Sequence, residues 1–185
     1  VYARYQGKGG VRLGGGIRRF LLALRFAGLR PLTSGDLNAA TRIVFRRQLM
    51  ERLEAVAPFL EFDKDPYCVV AEGRLHLVVD AYTVSRTFPY SERLRNGLNY
   101  IRNSVKATVD CYDGSIHFYV FDERDPILQA WSAALPDFFE PAASMPAALR
   151  GHVRYPEDLL SIQARVYATY HMTDPLVFYN KEDRW

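Results

Sequence analysis

The sequence predicts an α+β domain in which an antiparallel sheet, built from two β-hairpins, carries flanking helices. Three observations carry this expectation. Apolar residues recur at spacings of three and four toward both ends of the chain. They alternate at a spacing of two through its middle. Glu72-Gly73 and Asp113-Gly114 punctuate the alternating stretches as turns. Helices, then strands, then helices is the order of a segregated antiparallel sheet, not of repeated βαβ units. At 185 residues, with 49% hydrophobic and 24% charged residues, the chain has the composition of an ordered globular protein. It is long enough to hide roughly 70% of its unfolded surface. A disordered chain, a collagen-like repeat and a disulfide-knotted miniprotein are excluded.

Residues 1–16 read as a flexible Gly-rich lead-in, and residues 17–185 as a single domain. Ile17, Phe20, Leu21, Leu24 and Ala27 lie along one stripe of a first helix, with Arg18 and Arg25 on its flank and Gly28 as its stop. Ser34, Asp36 and Asn38 offer caps for a second helix, whose stripe is Ala40, Ile43, Val44, Met50, Leu53 and Ala57 and which Pro58 ends. The hairpins follow: Cys68–Ala71 with Arg74–Thr83, then Val105–Tyr112 with Ser115–Phe121. Alternation assigns the faces. Cys68, Val70, Leu75, Leu77, Val79, Val105, Ala107, Val109, Cys111, Ile116, Phe118 and Val120 are expected inward. Arg74, His76, Asp80, Lys106, Thr108, Asp110, Tyr112, His117 and Tyr119 are expected on the opposite, wet face. Ser85–Asn99 reads as a surface loop whose end runs into the third strand through Tyr100 and Arg102. Asp125-Pro126 caps and opens a helix carrying Ile127, Leu128, Trp131 and Leu135, which Pro136 stops. Pro136–Pro146 reads as a linker. Tyr155-Pro156-Glu157-Asp158 opens the last long helix, with two acids in its first turn. Its face is Leu159, Ile162, Val166 and Tyr170, and Asp174-Pro175 starts a short turn or helix ending near Asn180.

Charge is distributed unevenly. Residues 1–52 hold eleven Lys/Arg and two acids, a net +9, while residues 53–185 hold thirteen and nineteen, a net −6. A basic first quarter suits phosphates, an anionic surface, or the acidic remainder of its own fold. Because 20 of the 24 cations are arginine, bidentate pairing with its own carboxylates is the favoured reading. Two cysteines are too few for a disulfide scaffold, and Cys68 and Cys111 are expected to be buried free thiols. No apolar run approaches the ~20 residues of a membrane span. No signal peptide opens the chain, an initiating Met is lacking and the C-terminus is abrupt, so the chain is expected to be a segment of a longer protein.

Three groupings are candidates for chemistry, and one apparent motif is not. Lys8 is followed by Gly9 with no hydrophobic strand before it, so a phosphate-binding P-loop is absent. Arg18 and Arg19 follow Gly14–Gly16 at a helix start and, with Arg25, Arg46 and Arg47, form the candidate anion or lipid-headgroup set. His76, Asp80, Asp110 and His117, with Lys106, are the candidate metal or acid–base set on neighbouring strands. The wet side of any half-buried strand offers similar residues with no site. Tyr167, Tyr170, His171 and Asp174 cluster at the end of the last helix, and no G-x-S-x-G nucleophile motif is present. No cofactor is expected. Nucleic acid is not an expected partner, because the aromatics sit late in the chain and the excess arginines early.

Five ordered stretches carry a resemblance: Gly7-Lys8-Gly9-Gly10-Val11, Asn99–Ala107, Tyr112-Asp113-Gly114, Tyr155-Pro156-Glu157-Asp158-Leu159 and Tyr167–Pro175. Together they resemble the large bacterial membrane proteins of uncharacterised protein family 0182. The resemblance implies a multi-pass membrane region before this segment, a large soluble region containing it, and a position on the extracytoplasmic side of the cell membrane. It supplies no catalytic residues. The expected role is therefore non-enzymatic: assembly or ligand contact beside the membrane, with the remainder of its own chain, or a second copy, as partner. The alternatives are a metal-dependent enzyme acting on a cell-envelope substrate and an anion or lipid-headgroup binding module.

Overall fold

The computed structural model describes residue 7 and residues 9–183. The first part of the Gly-rich lead-in, residues 1–6 and 8, lies outside the described residues. Beyond it, β1 (Val11–Arg12) pairs antiparallel with β2 (Arg42–Ile43), and Leu13 between them and the next helix is fully buried. Two helices fill the interval, α1 (Gly16–Arg25) and a single turn, α2 (Arg30–Thr33).

The second expected helix is divided. Only α3 (Leu49–Val56) is helical, while residues 42–43 are extended as β2 and Arg46 takes a positive φ of 50°. Local hydrogen bonds explain the break. The Asn38 side chain accepts the Ala40 N–H at 2.9 Å, and the Thr41 hydroxyl accepts the Asn38 N–H at 3.0 Å, which offers the backbone an alternative to a helix. Ile43 and Val44 are β-branched and favour extended backbone. Gln48 then caps the shortened helix by accepting the Glu51 N–H, and the helix ends before Pro58 as its missing donor requires.

Both expected hairpins form. The first joins β4 (Tyr67–Ala71) to β5 (Arg74–Ser85), and the second joins β6 (Tyr100–Asp110) to β7 (Ile116–Val120). Glu72 and Gly73 both have positive φ, 52° and 74°, the conformation of a type I′ turn. The hairpins meet through β5 and β6, which run antiparallel from His76↔Asp110 to Ser85↔Tyr100. A short β3 (Glu61–Phe62) shares the outer edge of β5 with β4. Past β7 come α4 (Pro126–Ala134), β8 (Glu140–Pro141), a 3-10 turn at Ala142–Ser144, α5 (Ala147–Arg150), α6 (Glu157–Tyr170) and α7 (Pro175–Asn180). β8 adds to β7 in parallel, so the expected linker contributes a strand. The fold is α+β, with one parallel pair at the end of an otherwise antiparallel sheet.

The sheet is buried on both faces. On one, Val79, Ala81, Val105, Ala107, Val109 and Phe118 pack against Leu53 and Ala57 of the α3 region and Leu128 of α4. Phe59 stacks on Trp131 at 4.3 Å and Phe118 on Phe138 at 4.9 Å beside this core. On the other, Val69, Ala71, Val78 and Tyr119 pack against Met145 and Leu149 of the segment after β8. This corrects the expected wet face. Asp80, Lys106, Thr108, Asp110 and Tyr119 do lie opposite the first core, yet all are buried: Met145, Leu149 and Val153 pack on the Tyr119 side, the Arg154 backbone closes over Lys106 beside Asp80, and Arg74 pairs over Asp110. The reverse correction applies to Cys68, Val70, Leu75 and Cys111, which are exposed, Val70 at 73%. Their parity is as expected, but α3 and α4 do not extend over that end of the sheet.

Among the described residues, no helix is long and apolar enough to cross a membrane. The α1 stripe does not enter a core. Ile17, Phe20, Leu21 and Leu24 are 81%, 53%, 58% and 62% exposed, and Ala23 is the buried residue of that helix. The α6 face is divided between Leu159 and Ile162, half-buried near its start, and Val166 and Tyr170, exposed near its end.

The two hairpin turns give a controlled comparison. Gly73 and Gly114 have φ of +74° and +72°, but a methyl group on Gly73 meets nothing within 4 Å, whereas one on Gly114 lies 2.5 Å from Arg52 Nη1. Arg52 also donates to the Gly114 carbonyl. Gly73→Ala is expected to cost about 1 kcal/mol from the left-handed backbone alone, and Gly114→Ala about 2 kcal/mol or more because the Arg52 contact is lost as well. Urea unfolding measures both, and in an Arg52→Ala background the difference should vanish.

Candidate functional site

Chemistry-bearing side chains concentrate at the covered face of the sheet, around the β5–β6 pair. Asp80 on β5 stands opposite Lys106 on β6. The Lys106 ammonium donates to Asp80, to Asn103 Oδ1 at 2.8 Å and to the Arg154 carbonyl at 3.2 Å. Lys106 and Asp80 are each 3% exposed. All three ammonium donors are therefore used, which is what a buried cation requires. Beside the pair, β6 and the start of α6 border a shallow, open cleft of about 510 Å³ lined by Arg102, Asn103, Lys106, Arg154, Tyr155 and Gln163, among others. Its cations are engaged internally. Arg102 pairs with Asp122 at 3.0 Å, and Arg154 pairs with Asp65 at 3.1 Å while its guanidinium lies 3.9 Å from the Tyr67 ring centroid.

A second buried carboxylate organises the other face. β6 carries one extra residue opposite Tyr82, since Ala81↔Val105 is followed by Thr83↔Arg102. This bulge re-aims Ser104 so that its hydroxyl lies 3.4 Å from that of Thr83. Both hydroxyls donate to Asp125, joined by Tyr100 OH at 2.7 Å and the Ile127 N–H at 3.0 Å. Burial alone would raise the Asp125 carboxyl, but the Ser104, Thr83, Tyr100 and Ile127 donors outweigh it and hold it below its ordinary 3.8. Burial, followed by the bond to Asp125, pushes the Tyr100 hydroxyl up to about 12. Asp125 is thus a fixed anion that anchors the start of α4.

Asp63 does the same for α6. Pro156 at that helix start supplies no side-chain cap. Asp63, 1% exposed, accepts the Asp158 N–H at 3.1 Å, and the Asp158 carboxylate accepts the Lys64 N–H at 3.2 Å. The exchange works as a capping box between segments distant in sequence. Tyr82 donates to the same Asp63, and burial with this bond raises its hydroxyl pKa.

The expected metal set is only partly gathered. His76 and Asp110 are cross-strand neighbours, but Asp80 pairs with Lys106, four residues along β5 from His76. His117 stands opposite Thr108 and bonds Glu140 at 2.6 Å through Nδ1. Asp110 accepts from Arg74 through both oxygens, at 3.0 and 3.3 Å, and from the Tyr112 and Asp113 N–H groups. Among the described residues, no group of three or more His, Cys, Asp or Glu side chains is placed to hold a metal ion. Asp174 caps α7 through the Leu176 and Val177 N–H groups, and His171 stacks obliquely on Tyr167 at 5.7 Å.

Of the expected anion-binding arginines, Arg18 and Arg25 are exposed on α1, and Arg46 and Arg47 are exposed before α3. Arg19 donates to the Leu37 carbonyl at 3.0 Å. Among the described residues, no carboxylate forms a salt bridge with Arg18 or Arg25. Pairing with the acidic remainder of the fold therefore does not account for these two. Cys68 and Cys111 are free thiols, exposed instead of buried. β5 lies between them, since Cys68 pairs with Leu77 and the Cys111 N–H bonds the Leu75 carbonyl. Two strand spacings, about 9–10 Å, exceed the reach of a disulfide.

The sequence reading missed Asp63, Thr83 and Tyr100 as members of these networks. Asp125 was legible as a cap before Pro126. Nothing local marks Asp63, because the N–H that it accepts lies 95 residues later along the chain.

Comparison with known proteins assigns the chain. The model of the family described as "Uncharacterised protein family (UPF0182)" matches residues 1–185, and the chain belongs to that family. Relatives include UPF0182 proteins of Microcystis aeruginosa (strain NIES-843 / IAM M-2473), 50% identical, and Synechococcus sp. (strain JA-2-3B'a(2-13)), 52% identical. A third, from Sulfurovum sp. (strain NBC37-1), is 48% identical. Each alignment covers 100% of this chain but 20%, 22% and 21% of the respective relative. The chain thus spans about a fifth of the length of the curated relatives it matches. No solved structure matches it.

Two measurements check the site. Lys106→Met leaves Asp80 buried without its partner and is expected to cost about 3–5 kcal/mol, most of it recovered in Asp80→Leu/Lys106→Met, by chemical denaturation. Asp125 is held below its ordinary value in the fold, so its stabilising contribution is complete above about pH 4 and is lost as pH falls through the lower folded value. Asp125→Asn should therefore be less stable than wild type at neutral pH and show a flatter stability profile in acid.

Proposed function

We propose that this chain is a non-enzymatic contact domain of a larger membrane protein, held beside the membrane on its extracytoplasmic side, and that the remainder of the same protein packs against its C-terminal helices. The observation that carries this reading is the apolar face left open there. Leu160, Leu176 and Tyr179 are 56%, 67% and 83% exposed. α7 buries none of its residues, and α6 fully buries only Ala168. Large apolar side chains left exposed on neighbouring helices mark an interaction surface, and α6 and α7 meet through Tyr170 and Phe178. The charged residues of these helices and their ends are mixed in sign, with Arg165, Lys181, Glu157 and Glu182, as suits a protein partner. The relatives are about five times as long as this chain, which provides that partner within one molecule. The internally engaged cations of the cleft support a binding or structural role over catalysis. The extracytoplasmic placement is what the family resemblance implies.

Cysteine accessibility tests both parts. In a Cys68→Ser/Cys111→Ser background, Leu176→Cys should react with maleimide roughly tenfold more slowly in the full-length protein than in the 185-residue chain. Equal rates would reject the packing. In intact cells, a membrane-impermeant maleimide should label exposed Cys68 of the full-length protein beyond the level of Cys68→Ser, and labelling only after permeabilisation would reject the placement.

A further inference from the structure

We propose that α1 is a membrane-surface helix, which lays Ile17, Phe20, Leu21 and Leu24 into the interfacial layer of an anionic lipid bilayer while Arg18 and Arg25 engage headgroup phosphates. This goes beyond the assembly reading and rests on a different part of the molecule.

The argument begins with geometry. At about 100° per residue, these four side chains fall within an arc of about 100° on one side of the helix. Arg18 and Arg25 fall together at one border of that arc, seven residues apart. Ala23, the buried residue, lies on the opposite border and fixes which side faces the protein. The apolar arc therefore faces outward, with all four of its side chains more than half exposed. Leu29, just past the helix, is 71% exposed as well.

Charge selects the occupant. The first carboxylate in the whole sequence is Asp36, so the segment holding α1 has no acid to neutralise its arginines. A protein partner for this face would have to supply several carboxylates around an apolar centre. A bilayer containing anionic lipid offers both features together, with hydrocarbon beneath a plane of phosphates. The contrast with α6–α7, where acids and bases mix around the apolar face, separates the two surfaces by chemistry. α1 has 10 residues, about 15 Å of length, which suits an in-plane orientation at a depth of ~5–10 Å.

The test uses the 185-residue chain and sedimentation with vesicles of equal phosphatidylglycerol and phosphatidylcholine at about 0.1 M salt. Binding to these vesicles and binding at least roughly tenfold weaker to pure phosphatidylcholine are expected. Leu21→Ser/Leu24→Ser, made at exposed positions and checked for native circular dichroism, should lower partitioning at least about tenfold. Arg18→Gln/Arg25→Gln should lower it about fivefold per arginine and flatten its salt dependence. A fluorescent label at Phe20→Cys in the Cys68→Ser/Cys111→Ser background should shift to the blue and be quenched by spin-labelled lipid. Absence of binding to the anionic vesicles overturns the proposal. So does unchanged binding of the leucine variant without quenching, which would mean contact with phosphates by charge alone. A wild-type dimer that the leucine variant converts to monomer overturns it in favour of a second copy. In the full-length protein in its native membrane, a Phe20 label shielded from both maleimide and lipid quencher overturns it in favour of a protein partner. None of these results bears on the Leu176 measurement, so the two proposals fail separately.

Discussion

The buried ion pair between Lys106 and Asp80 is the constraint around which the sheet is arranged. Taking two charges out of water costs several kcal/mol per ion unless geometry and further hydrogen bonds compensate. β5 and β6 meet this by registering the two residues directly opposite one another. Asn103 and the Arg154 carbonyl then take the remaining ammonium protons. The register that satisfies Lys106 also places Val79, Ala81, Val105 and Ala107 on the first core face, because a one-residue slip would invert every side chain. Specificity of strand pairing and satisfaction of the charge pair are one requirement.

The same logic of enclosed carboxylates recurs at the helix starts. Asp125 holds α4 to the bulged end of β6, and Asp63 holds α6 to the end of β3. Each is surrounded by donors from separate elements, so each ties strands to helices with directional bonds where apolar packing alone would allow sliding. The fold is thus knitted by three polar centres lying among two apolar layers.

The residues show why part of this was legible and part was not. Alternation fixed parity correctly along β4 to β7, and the Gly73 and Gly114 turns marked both hairpins. Asp125, Asp174 and Pro58 delimited helices because capping and donor loss are local effects. What covers a face is not local. Cys68 and Val70 share the parity of Val79 but lie where no helix reaches, while Asp80 and Lys106 have the parity of a wet face and are covered by residues from 142 onward. The stripes of α1 and the end of α6 obey the helical period and still face outward, since periodicity reveals an apolar side but not its partner. The division of residues 34–57 was hidden because the turn at Asn38 competes with a helix that the apolar spacing also permits.

The bond from the Asp158 N–H to the Asp63 carboxylate joins positions 95 residues apart. At ribosomal speeds of about 5–20 residues per second, those residues take roughly 5–20 s to emerge. From the emergence of Lys106, 48 residues pass before Arg154 follows, and over that stretch the nascent sheet holds Asp80 and Lys106 without the Arg154 carbonyl, and for most of it one apolar side of β4 and β5 without Met145 and Leu149. Completion waits for the C-terminal third of the domain to leave the exit tunnel. The half-built hairpins are the stage at which a chaperone would find the most to hold.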